Sequence, residues 1–196
     1  TIDLPSHLRC LLKHLPPHYT LENLAYKHTL FPIHALFSPE NTRLKCLQWM
    51  GNQSKGSIHL TLGVAASKVK QISMHRYCHL CLKDQYRQYG EFFWSRVWYI
   101  QGANCCSKHK IKLTEFLPTA HLCGRHQFIP ASFILDRKQP NNPAHELDLI
   151  VSRYVDQLLK LPPTTSPTFH QWSQFYQRIA KRLGFNKASK HIDHSK

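Results

Sequence analysis

Two short clusters, YCHLC at 77–81 and CCSKH at 105–109, constrain this chain more than any other feature. They carry Cys78-x2-Cys81 and Cys106-x2-His109, a paired-ligand pattern. Zinc takes four ligands in a tetrahedron, and two residues spaced by two can grip one ion from a single tight turn. Two such turns close the shell, and the segment between them is long enough to hold a helix and return. The spacing therefore implies one Zn2+ ion bound by Cys78, Cys81, Cys106 and His109. Cys105 offers an alternative to Cys106 at a spacing of three, and Cys123-x2-His126 is a further half-site with no partner pair. Together with His75, His79 and His121, these are read as non-ligands.

A hydrolytic zinc keeps a position open for water. Here a full Cys3His set is available, and three thiolates blunt the Lewis acidity of the ion. The nucleic-acid deaminase pattern needs H-x-E before P-C-x-x-C, whereas Cys78 follows Tyr77 and the one His-Glu pair is the adjacent His145-Glu146. HExxH, GxSxG and a phosphate-cradling glycine loop do not occur. The expected role of the ion is architectural, and no enzyme is expected.

Lys and Arg total 26 against 11 Asp and Glu, a formal charge of +15, which creates a long-range field attractive to DNA or RNA. Around the clusters, Lys83, Arg87, Arg96, Lys108, Lys110 and Lys112 are the candidate phosphate contacts. The neighbouring aromatics Tyr86, Tyr89, Phe92, Phe93, Trp94, Trp98 and Tyr99 are read mostly as the core of a small zinc module. No run approaches the ~18 apolar residues of a membrane span, and no basic amphipathic helix suggests a membrane surface. The N-terminus has no signal-peptide pattern, and the cysteine count of 7 is odd, so a reducing cytosol is expected. Cys10 and Cys46 read as inert buried thiols. The absent initiator Met and the polar tail suggest a piece of something longer.

The expected fold is mainly α, a helical domain with an inserted Cys3His module and few short strands. Residues 1–75 form an N-terminal helical part, 76–113 the zinc module and 114–196 a C-terminal helical region. Leu8, Leu11, Leu12 and Leu15 fall on one face of a helix that Pro16-Pro17 ends. Thr20 caps LENLAYKH, and Ser38-Pro39-Glu40 opens the next helix. SIHLTLGVAASKV reads as helical, 114–141 as irregular, and strand signals are confined to pieces such as RVWYI and HQFIP. Asn142 caps a helix whose core stripe is Leu147, Ile150, Val151, Tyr154, Val155 and Leu158. Ser166-Pro167 opens a last helix with stripe Trp172, Phe175, Tyr176, Ile179 and Leu183, closed by Gly184. A second helix from Asn186, bearing Lys187, Lys190 and His191, would make this the start of a helix-turn-helix.

The run RYCHLCLKDQYRQYGEFFWSRVWYIQGANCCSKHKIKL resembles the zinc-finger core of the TniQ/TnsD family of transposition target-site selection proteins. HTLFPIHALF, GSIHLTLGVAASKVK and WSQFYQRIAKRLGF with SKHI are similar to TnsD-type members, so the likeness runs from about Leu4 to the C-terminus. The family usually has Pro after the first Cys of each knuckle, where this chain has His79 and Ser107, and often Gly after the ligand His, where it has Lys110. The resemblance implies a non-enzymatic DNA-binding selector for a Tn7-like transposon, bacterial and nucleoid-associated. Its implied partners are a double-stranded attachment site and a TnsC-like AAA+ ATPase regulator. Other branches of the family dock on an RNA-guided (CRISPR) complex, which makes a protein-docking adaptor the alternative.

Overall fold

The computed structural model describes residues 3–54, 56–67, 72, 74–116, 129–134 and 141–185. Helices dominate them. The N-terminal part comprises α1 (Leu8–Leu12), α2 (Leu21–His28), α3 (Phe31–His34), α4 (Glu40–Gly51) and α5 (Ser57–Thr61). The strand β1 (His75–Tyr77) then leads into α6 (His79–Tyr89), a 3-10 turn at Arg96–Tyr99 and β2 (Thr114–Phe116). A 3-10 turn at Ala131–Ile134 follows, and then α7 (Glu146–Lys160) and α8 (Phe169–Arg182).

Local chemistry sets several of these boundaries. The Thr20 hydroxyl accepts from the Asn23 amide at 3.1 Å and starts α2 as expected. Thr168 and Gln171 form a capping box that starts α8, two residues after the expected Ser166. Gly184, at φ 76°, ends α8 in the left-handed region where a side chain is disfavoured.

The N-terminal core gathers Leu4, Leu8, Leu24, Phe31, Cys46, Met50 and Ile58. Its helices pack closely at Gly51, where a Cβ would lie 2.8 Å from Leu21 Cδ2. A second core, around Tyr77, Cys78, Leu82 and Trp98, also takes in Phe116, Ala131 and Ile134. There β1 and β2 pair antiparallel, with Arg76 opposite Glu115. A third, smaller cluster of Leu30, Ile100, Ala103 and Leu159 joins α7 to both.

Several expectations are corrected. RVWYI is not a strand: Arg96–Tyr99 turns as a 3-10 helix, which buries Trp98 while its carbonyl and that of Ile100 accept from Arg76 at 2.7 and 2.8 Å. HQFIP lies mostly outside the described residues. The first helix stops at Leu12, where the amides of His14 and Leu15 tighten onto carbonyls three residues back, and Leu11 is exposed. SIHLTLGVAASKV is helical only over Ser57–Thr61. Pro39 is the cap of α4 rather than its first residue. Asn142 does not cap α7: its carbonyl accepts from the Lys112 amide, Pro143 bridges to Ile111, and His145 caps instead.

The expected apolar stripes of the last two helices face mostly outward. On α7 the buried positions are Ser152 and Leu159, with Val155 half-buried, while Leu147, Ile150, Val151 and Tyr154 are exposed. The buried face is rotated from the stripe by about one residue, ~100°. The small Ser152 makes this possible, because its Oγ accepts from the Cys105 thiol at 3.2 Å in a fully packed contact. On α8, Phe175, Tyr176, Ile179 and Leu183 are exposed. Its Trp172 meets Phe37 edge to face, with centroids 4.9 Å apart. No helix among the described residues is long and apolar enough to cross a membrane.

Candidate metal centre

The first ligand pair sits where β1 runs into α6. Cys78 is the residue before the first helical turn and Cys81 lies in that turn, so a spacing of three places both thiols on one face. The second pair sits on a tight turn. The Lys110 amide donates to the Cys106 carbonyl and the Cys106 amide to the Ile111 carbonyl, both at 2.8 Å, and the His109 amide points at Cys106 Sγ at 3.3 Å. Lys110 leaves this turn at φ 56°, in the left-handed region that glycine takes without strain.

Cys78 Sγ, Cys81 Sγ, Cys106 Sγ and His109 Nδ1 all lie within 4.8 Å of one another. His109 Nδ1 is 3.4, 3.3 and 3.5 Å from the three sulfurs in that order, and Cys81 Sγ is 3.5 Å from Cys106 Sγ. A tetrahedral ion with ordinary metal–sulfur and metal–nitrogen bonds would hold such donors about 3.5–3.8 Å apart. The four residues therefore fit a metal ion. Hydrogen bonds from Cys78 and Cys81 hold the Cys106 thiol far below its ordinary value, whereas the bond to Cys106 pushes Cys78 and Cys81 up. Three thiols this close repel one another when ionised, and a central cation would let all three be thiolates.

The remaining Cys and His residues are elsewhere. Cys105 turns away to Ser152. His75 stacks on Trp94 at 4.5 Å and bonds the Tyr99 hydroxyl at 2.6 Å. His79 is half-buried on α6 outside the ligand cluster. His121, Cys123 and His126 lie outside the described residues. Cys46 is buried as expected, but Cys10 is exposed.

Among the candidate phosphate contacts, Lys83, Arg87, Lys108, Lys110 and Lys112 are exposed, while Lys187 and Lys190 lie outside the described residues. Arg96 is different. Its guanidinium donates to the carbonyls of Tyr26, Thr29 and Leu159, so it is engaged inside the protein and is withdrawn as a phosphate contact. Of the aromatics, Trp98 is buried and Phe92, Trp94 and Tyr99 pack on the same core, whereas Tyr86, Tyr89 and Phe93 are exposed.

Sequence reasoning missed two residues. Arg76 is buried against three acceptors, the Trp98 and Ile100 carbonyls and Asn104 Oδ1. Asp84 accepts from His109 Nε2 at 3.1 Å and from the Lys108 ammonium. The available signal was its position one helical turn beyond Cys81.

A helical platform built around a knuckle-and-turn Cys3His cluster defines the class, and the pattern of the TniQ family matches residues 2–113. The chain belongs to the TniQ family. It is also 39% identical, over 99% of its length, to the Transposon Tn7 transposition protein TnsD of Escherichia coli. It spans 38% of the length of that relative.

Proposed function

We propose that this chain is part of a target-site selector for a Tn7-like transposon, a non-enzymatic protein that binds a duplex attachment site and recruits an AAA+ transposition regulator. The observation that carries the reading is its likeness, over nearly its whole length, to a protein named for Tn7 transposition. The charge of +15 supports a polyanionic partner. The bound ion is Zn2+, the metal suited to a closed set of three thiolates and one imidazole. Its role is to hold α6 against the 106–109 turn, so that the surface around them keeps one shape.

On this reading Lys83 and Arg87 on α6, and Lys108, Lys110 and Lys112 along the second ligand turn, supply phosphate contacts, which position the protein without reading sequence. Lys187 and Lys190, outside the described residues, would add further DNA contacts. The test is a salt titration of a fluorescent duplex with the zinc-loaded chain. Log affinity should fall linearly with log salt, and neutralising Lys110 and Lys112 to Gln should lessen the slope by about 0.9 for each phosphate that is no longer neutralised. An unchanged slope would remove these residues from the interface. No affinity for duplex at low salt, by this chain or by a longer form containing it, would overturn the DNA-binding reading.

A further inference from the structure

We propose that Asp84 is a positioning residue of the metal centre, orienting His109 as a ligand and strapping the two ligand-bearing segments together. This rests on the metal reading above but concerns a residue outside the ligand set.

His109 presents Nδ1 to the three sulfurs, so a ligating His109 uses its Nδ1 lone pair and carries its proton on Nε2. That proton has a partner, because Asp84 Oδ2 lies 3.1 Å from Nε2. A carboxylate behind a ligand histidine fixes its tautomer, stops the ring from turning over and makes the other nitrogen a better donor. The same oxygen accepts from the Lys108 ammonium. Lys108 and His109 both belong to the second ligand turn, whereas Asp84 stands on α6 one turn beyond Cys81. One carboxylate therefore ties the helix carrying Cys78 and Cys81 to the turn carrying Cys106 and His109.

Charge adds a second reason for the trio. Three thiolates around a divalent ion leave the site formally at −1, and Asp84 would raise this to −2. Lys108 restores −1 through its contact with the same carboxylate. The competing explanation is that Asp84 and Lys108 form an ordinary solvent-screened surface ion pair, irrelevant to the metal.

The experiment compares the zinc-loaded 196-residue chain with Asp84→Asn, Asp84→Glu and Lys108→Met. Zinc transfer to a chromogenic chelator gives affinity and release rate, and cobalt substitution gives an absorption spectrum that reports the ligand set. Asp84→Asn should lose about 10- to 100-fold in zinc affinity and show altered cobalt bands, because the imidazole is no longer fixed. Lys108→Met should lose clearly less than Asp84→Asn, since it removes the neutralising charge but leaves the His109 contact in place. Asp84→Glu keeps the charge but displaces it, so its release rate should fall between those of the parent and Asp84→Asn. Should Asp84→Asn not fold, Asp84→Glu decides, and release no faster than the parent overturns the proposal. Parent-like affinity in Asp84→Asn, or an equal loss in Lys108→Met, also overturns it. A parent that takes up neither zinc nor cobalt instead removes the metal reading, and this inference with it.

Discussion

Arg96 Nη2 donates to the backbone carbonyl of Leu159, 63 residues further along the chain, at 2.6 Å. Its Nη1 meanwhile donates to the carbonyls of Tyr26 and Thr29. Those carbonyls belong to the C-terminal ends of α2 and α7, where helices leave acceptors without intrahelical partners and carry partial negative charge. One guanidinium thus caps two helices and fixes both to the segment that carries the Cys3His cluster.

Replacing Arg96 by Met should therefore cost stability. It leaves the carbonyls of two helix ends without their charged donor, a loss of about 2–4 kcal/mol. Lys should recover only part of this, because a single ammonium cannot reproduce the planar fork. Urea denaturation of the zinc-loaded chain measures the effect. An Arg96→Met variant as stable as the parent would show that the clasp is idle.

The metal prediction is sharper. Cys106→Ser should abolish stoichiometric zinc binding and loosen the β1, α6 and 3-10 segment, while the N-terminal core around Phe31 and Met50 stays protected. Elemental analysis together with hydrogen exchange reads both halves. One zinc retained per chain in the variant would exclude Cys106 as a ligand.

Lys110 gives a prediction of opposite sign. A lysine at φ 56° carries a steric cost of roughly 1 kcal/mol that glycine avoids. Lys110→Gly should raise the urea midpoint of the zinc-loaded chain by the equivalent of up to about 0.5 kcal/mol, the extra chain entropy of glycine offsetting much of the relief. Lys110→Ala, which keeps a Cβ, should give no gain. A Lys110→Gly midpoint at or below the parent's would count against strain at this turn.

Acid should release a contact at the other end of the chain. Asp3 accepts from His34 Nε2 at 2.8 Å and from His59 Nε2 at 2.6 Å, holding the N-terminal strap to α3 and α5. Burial pushes the Asp3 carboxyl up, but the two histidine hydrogen bonds and their charges outweigh it, leaving the carboxyl below its ordinary 3.8. With the folded value below the unfolded one, this contribution is fully present above about pH 4 and fades as pH falls through the lowered value. Asp3 is partly exposed, so the contribution should be under about 1 kcal/mol. Asp3→Asn should be less stable than the parent near pH 6, and the gap should close in stronger acid. A gap independent of pH would show that ionisation of Asp3 plays no part.

By itself the sequence determined what depends on neighbours a few residues apart. The ligand spacing specified Cys78, Cys81, Cys106 and His109 as one cluster, because two short turns can bring four donors together wherever the rest of the chain runs. The Thr20 cap and the Gly184 stop follow from local backbone chemistry, and the likeness that placed the chain in its family was legible in the same way. Tertiary structure alone decided the roles of the cations and the direction of the amphipathic faces. Composition counts Arg43, Arg76 and Arg96 toward the field, yet Arg43 and Arg76 are buried and Arg96 is turned inward onto carbonyls. Those acceptors come from distant parts of the chain, and no local pattern encodes them. The stripe of α7 was legible as apolar, but its direction was not. A small serine packing on Cys105 and a clasp at Leu159 turned the helix by one residue, because close contact and a satisfied helix end outweighed burial of the larger side chains.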